Sequence, residues 1–185
     1  MRLVLNVCSL IPCCGKSKED IEGIRSFGNC LAEFVEHGRE RIIICVSKKL
    51  MKTYFSKLRE IERCGCHPLP KFHASFYRNI SRIARITRHK KCTSKKLKTL
   101  GVCIHVIGSN IVNKYVIDDI CSLPEDDKEV VKIALAIAKK DTVYIVTVDE
   151  HFIKCLDLRK LERKYSHANR IKVVKPQDLL VKIEN

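Results

Sequence analysis

Residues 125–152, EDDKEVVKIALAIAKKDTVYIVTVDEHF, constrain the fold more than any other stretch of this chain. Acids at Glu125, Asp126 and Asp127 follow Pro124, a helix-start signal, because carboxylates favour the positive end of a helix. Val130, Val131, Ile133, Ala134, Ile137 and Ala138 then recur at helical spacing and cover one broad face. Lys139, Lys140 and Asp141 end that pattern. Val143 to Thr147 is β-branched and apolar on both faces, as in a strand buried within a parallel sheet. Asp149 comes just after it. Ligands of open α/β sheets bind beyond the carboxyl ends of strands. A lone acid there is a candidate site residue, although an acid in a turn is more often only solvated.

The remaining elements repeat this alternation. Residues 2–8 read as a first strand, followed by a loop through Pro12 and Gly15. A helix is expected over 18–37, with Ile21, Ile24, Phe27, Leu31, Phe34 and Val35 on one face and Gly38 at its end. Arg41–Val46 is a second buried strand, and Ser47 is a fitting N-cap for a helix over 48–62. Val102–Ile107 alternates as a strand in which His105 is a tolerated polar position. Phe152–Tyr165 is a basic amphipathic helix or loop. Ile171–Val174 is a last strand, and Pro176 opens a short terminal helix. Strands alternating with helices predict an α/β domain with a mostly parallel sheet of about five strands and helices on both faces. A chain of 185 residues suffices for one such domain.

Charge is spread unevenly. The formal net charge is +15, yet from Arg63 to Ile117 there are 12 Lys or Arg and no Asp or Glu. Removing those 12 from the 36 cations leaves 24 against 21 acids, a net of only +3. The excess therefore sits in one basic insertion at about 63–101, bounded by a loop holding Gly65, Pro68 and Pro70. Helical spacing returns over 74–87, where Phe76, Ile80, Ile83, Ala84 and Thr87 form an apolar face. Arg78, Arg82 and Arg85 line another face, and Arg88, Lys90, Lys91, Lys95 and Lys96 carry the charge into a polar loop. A solvated basic helix is the bland reading. Cations without intervening acids repel one another, so contact with an RNA or DNA backbone explains the segment better. Phe72, Phe76 and Tyr77 could stack on bases, but the spacing of Phe76 suits a core position.

Other motifs carry less. Gly15-Lys16-Ser17 resembles the tail of a phosphate-binding loop, but the glycine required five residues earlier is Leu10, which discounts nucleotide binding. Cys64-x-Cys66-His67 has no second Cys/His pair at zinc-finger spacing, so zinc is not expected. Many of the 11 cysteines, Cys8, Cys45, Cys103 and Cys155 among them, sit inside apolar runs and read as small buried hydrophobes of a reducing compartment. No apolar run approaches a membrane span. The short apolar start carries only Arg2 before it and is broken by Asn6 and Pro12, so it reads as a strand rather than a signal peptide. These features predict a cytoplasmic protein with no membrane partner, and leave a homodimer open.

The order of these motifs resembles the PIN-domain family. The resemblance rests on Asp127 with Ala134 seven residues later, then Thr147-x-Asp149 and Phe152. It extends to Ser47, Leu50, Tyr54 and Leu58 on the second helix, and to the closing strand, Pro176, Asp178 and two apolar residues. Residues 2–62 and 118–183 take part, while 63–117 match only loosely. PIN domains are metal-dependent nucleases, mostly of RNA, with carboxylates clustered over a parallel sheet of order 3-2-1-4-5. The resemblance therefore implies a three-layer, Rossmann-like domain in which Asn6, Asp127 and Asp149 converge, with Asp126 a further metal candidate. It implies Mg²⁺ or Mn²⁺ as cofactor, since hard divalent ions take oxygen ligands and activate water for phosphodiester hydrolysis. Two positions depart from the family. Asn6 stands where the first strand carries a signature Asp, and Thr53 stands where the second helix carries a metal-site Glu. Three readings follow: a weakened metal-dependent ribonuclease, a catalytically silent RNA-binding or scaffold protein, or a Rossmann-like binder of a small ligand.

Overall fold

The computed structural model describes residues 1–10, 17–37, 42–63, 76, 97–99, 102–120 and 122–184. Strands β1 (Arg2–Leu5), β2 (Ile43–Ser47), β3 (Leu97–Thr99), β4 (Val102–Ile107), β5 (Val143–Val146) and β6 (Ile171–Val174) form one sheet in the order β3-β4-β2-β1-β5-β6. Five of them run parallel, and β3 pairs antiparallel with β4 at the edge. Around the sheet lie α1 (Lys18–His37), α2 (Lys48–Arg63), α3 (Ser109–Val112), α4 (Glu125–Ala138), α5 (Glu150–Cys155), α6 (Leu158–Lys164) and α7 (Pro176–Glu184). This is the three-layer α/β architecture that the alternation of strands and helices predicts, and its parallel strands take the order 3-2-1-4-5.

Local chemistry explains most boundaries. Ser17 opens α1 by accepting the Asp20 N–H at 3.1 Å as an N-cap, and its hydroxyl donates to the Asp20 carboxylate at 2.9 Å. Ser47 closes β2 and accepts the Leu50 N–H at 3.1 Å, which makes it the N-cap of α2. The apolar stripe of α4 is buried at Val130, Val131, Ile133, Ala134, Ile137 and Ala138, and the helix packs on β1, β2, β5 and β6. Helices α1 and α7 pack on each other elsewhere on the sheet. Both faces of β5 are covered, since Val143, Ile145 and Val146 are fully buried and Tyr144 is half-buried, as its continuous apolar run requires. Cys45, within β2, is a buried thiol whose pKa is pushed up to about 12, chiefly by burial, which makes it inert at neutral pH.

Three expectations need correction. The first strand ends at Leu5 rather than residue 8. The Asn6 carbonyl accepts both the N–H (3.0 Å) and the hydroxyl (2.6 Å) of Ser9, and the chain turns into a 3-10 helix over Val7–Leu10. Residues 97–99, expected within a polar loop, are instead strand β3, which gives β4 a pairing partner on its outer side. Phe152–Tyr165 holds parts of two helices, because Asp157 accepts the Lys160 N–H at 3.0 Å and starts α6 afresh. Of the basic insertion, only Arg63, Phe76 and Leu97–Thr99 fall within the described residues. Phe76 is buried edge-on to Tyr54, with ring centroids 5.6 Å apart, so it is the core residue its spacing suggests.

Candidate functional site

The sheet order reverses between β1 and β5, because the chain leaves β1 for β2 on one side and reaches β5 on the other. Leu5 is paired with Val146, so Asn6 and Thr147 step off the carboxyl edge side by side. The Asn6 N–H still reaches the Val146 carbonyl at 2.9 Å, and the Thr147 N–H reaches that of Val174 at 3.0 Å. Tyr54 of α2 is fully buried, and its hydroxyl donates to the Leu5 carbonyl, which anchors α2 to the last residue of β1. Such crevices are where ligands of open α/β sheets bind.

Asn6 and Asp127 meet there directly. The Asn6 Nδ2 donates to Asp127 Oδ1 at 2.9 Å, while Asn6 Oδ1 faces the Cys8 N–H at 3.5 Å. Asn6 is buried and Asp127 half-buried. Burial holds the Asp127 carboxyl above the usual aspartate range, and the charges of Asp149 and Asp126 push it further up. The Asn6 hydrogen bond and His151 pull it down. Asp127 is thus an acid in a crowded anionic neighbourhood, held by one neutral donor.

Asp149 is fixed by local geometry. Its Oδ1 accepts the N–H groups of His151 (2.8 Å) and Phe152 (3.2 Å), which makes it the N-cap of α5. Its own N–H donates to Thr147 Oγ1 at 3.1 Å, and the same hydroxyl meets the Cys8 thiol at 3.1 Å. Phe152, fully buried, anchors the first turn of α5 beneath it. Asp126 is exposed and accepts the Thr53 hydroxyl at 3.2 Å. Thr53, where the resemblance led one to expect a metal-site acid, therefore contacts a carboxylate rather than supplying one. Glu150, another acid of this edge, is held by Lys175 at 2.8 Å.

The charges of Asp126 and Asp149 reach Asp127 across several ångströms and add to the effect of burial on its carboxyl. Direct ligation is much shorter, about 2 Å for Mg²⁺. Among the described residues no three His, Cys, Asp or Glu side chains are gathered closely enough to hold a metal. Asn6 turns its donor, not its carbonyl, toward Asp127, so acting as a ligand would require rotation of its amide. Arg78, Arg82, Arg85, Arg88, Lys90, Lys91, Lys95 and Lys96, the expected nucleic-acid contacts, lie outside the described residues. Also among the described residues, no helix is long and apolar enough to cross a membrane.

The sequence reading passed over Glu129. It is buried at 6% exposure and accepts the hydroxyl of Ser47, itself 1% exposed. Its signal was available in the spacing, since Glu129, Ile133 and Ile137 form one stripe at four-residue intervals on the buried face of α4. The pair ties α4 to the start of α2 and thereby sets the wall of the crevice. Replacing Ser47 with Ala removes a cap worth about 1 kcal/mol. It also strands a buried carboxyl oxygen, at a cost of about 1 to 3 kcal/mol. The urea midpoint of Ser47→Ala should fall accordingly, whereas Ser56→Ala, exposed on the same helix, should leave it within experimental error.

No family model matches the chain, and no curated protein or solved structure matches it.

Proposed function

We propose that this protein is a PIN-like, nucleic-acid-binding phosphodiesterase acting on RNA, with a crevice that takes one divalent cation weakly. The observation that carries the reading is the hydrogen bond from Asn6 to Asp127 at the reversal of the strand order, where burial and, after it, the charges of Asp149 and Asp126 hold the Asp127 carboxyl up. A site with that electrostatic tension favours a cation. Asp127 and Asp149 are the carboxylates that would hold Mg²⁺ or Mn²⁺, with water filling most other positions, which suits an ion that needs only one or two carboxylates. Such an ion supplies activation of water and neutralisation of phosphate charge. Asp126 adds negative potential from the rim, and the basic segment of residues 63–101 supplies attraction for the phosphate backbone.

One observation favours a second reading, a silent RNA-binding or scaffold protein. The Asn6 amide already satisfies Asp127 Oδ1 without any ion. A cleavage assay separates the two readings. RNA is incubated with wild type, Asn6→Asp and Asp149→Asn across Mg²⁺ and Mn²⁺ concentrations. Residual wild-type cleavage should need high metal, favour Mn²⁺ and rise in Asn6→Asp. Activity in Asn6→Asp alone identifies the silent form. If wild type and Asn6→Asp are both inert while RNA binding persists, the enzyme reading fails. If Asp149→Asn cleaves as well as wild type, the activity lies elsewhere.

A further inference from the structure

Outside the basic insertion the charge is near balance, and cations stand at both edges of the sheet, Lys48, Lys49 and Lys175 among those at the carboxyl edge. Acids gather at the carboxyl edge, where Asp126, Asp127 and Asp149 lie. A second group of cations lies at the opposite edge, where α4 ends before β5 and the chain enters β6. Lys139 and Lys140 close α4, Arg170 precedes β6, and Arg163 and Lys164 end α6. All five are exposed.

Contacts join Lys139, Lys164 and Arg170 into one surface, with Lys140 and Arg163 their neighbours along the chain. The Arg170 guanidinium donates to the Lys139 carbonyl at 3.3 Å. Lys139 Nζ lies 5.6 Å from the centre of the Tyr115 ring, and Tyr115 packs edge-on against Tyr165 at 5.3 Å. Lys164 Nζ lies 6.0 Å from the centre of the Tyr165 ring. The acids nearby are largely engaged, Asp141 with Arg2 at 2.6 Å and Asp119 with Lys164 at 2.7 Å, which leaves Glu162 on the rim. Among the described residues, Lys139, Lys140, Arg163 and Arg170 pair with no carboxylate. The local field is positive enough to be felt by a neighbour, since Lys139 and Arg170, after burial, hold His167 below its ordinary pKa. Helix dipoles explain why each cation suits its own helix end. They do not explain why two helix ends and a turn converge with like charge.

We propose that Lys139, Lys140, Arg163 and Arg170 form a second contact surface for the phosphate backbone of a nucleic acid, at the edge of the sheet opposite the acidic crevice. The proposal rests on the reading that the partner is a nucleic acid, and it is independent of whether the crevice cleaves. Asp127 and Lys139 are 12 residues apart on or beside one helix, so the two sites are separated by ~18 Å along its axis. At ~3.4 Å per stacked nucleotide, one strand spans that gap in about five nucleotides.

The test is the salt dependence of binding to a 20-nucleotide RNA by the full chain. Each lost phosphate contact lowers the slope of log affinity against log salt by about 1. Lys140→Glu/Arg163→Glu, which touches none of the aromatic contacts, should lower it by about 2. The fourfold Gln variant at 139, 140, 163 and 170 should lower it by about 3 to 4. Thermal melts establish that both variants are folded, and the double variant stands if the fourfold one is not. Wild-type binding with an unchanged slope in the folded double variant overturns this surface and leaves the proposed function intact. Absence of any RNA binding by wild type at low salt overturns both. Binding to phosphatidylserine vesicles that is lost in the double variant, while the RNA slope is unchanged, assigns the surface to lipid and overturns the proposal.

Discussion

Replacing Asn6 with Asp should make folding stability depend on divalent metal, lowering the melting temperature in chelator and raising it above wild type in Mn²⁺. In wild type the Asn6 amide donates to Asp127 at 2.9 Å. An aspartate at position 6 loses that donor and sets a second carboxylate against an acid whose pKa is already raised by burial and by Asp149 and Asp126. Two unit charges about 4 Å apart repel by roughly 4 kcal/mol at an effective dielectric of 20. Even half of that, together with a lost hydrogen bond of about 1 kcal/mol, lowers melting by several degrees. A divalent cation reverses the sign, because the same charges now attract it, and binding to the folded state alone adds stability as metal rises. Melting curves in EDTA and in millimolar Mn²⁺ read both directions. A variant equally stable in both would show that position 6 does not face a cation site.

RNA affinity should fall ~1000-fold or more between 50 and 200 mM salt. The basis is counterion release by about six phosphate contacts from Arg78, Arg82, Arg85, Arg88, Lys90, Lys91, Lys95 and Lys96. The effect is large because no acid interrupts the cations from Arg63 to Ile117. Base identity should matter little, since contacts to phosphate carry no sequence information. Charge reversal at Arg78, Arg82 and Arg85 should flatten the salt dependence by about 3. A gel shift with no complex at low salt, or an unchanged slope in that variant, would count against the segment.

The elements that the sequence announced are those in which local signals and burial agree. Helix α4 and strand β5 carry an apolar pattern whose period differs on either side of Asp141, and their core residues are buried as the spacing demands. Ser47 is the cap expected of it because a short side-chain oxygen in that position has an obvious use. What was not legible depended on particular partners, near or far along the chain, that periodicity does not show. Strand β1 ends early because the Asn6 carbonyl turns to Ser9, a choice that alternation cannot encode. Strand β3 exists through β4, the partner it pairs with. Asn6 looked like a missing acid, and only the fold brings its amide to Asp127, 121 residues away. Glu129 could have been read from its stripe, but its companion Ser47 lies 82 residues earlier.

Calorimetric titration of Mn²⁺ into metal-free protein is the most direct test that this crevice is a cation site. Wild type should bind one ion weakly, Asn6→Asp should bind it far more tightly, and Asp127→Asn and Asp149→Asn should lose it. Asparagine at 149 keeps a good N-cap for α5, so a loss there reports charge rather than a broken helix. Failure of Asn6→Asp to bind Mn²⁺, or binding undiminished by Asp127→Asn and Asp149→Asn, would contradict the account.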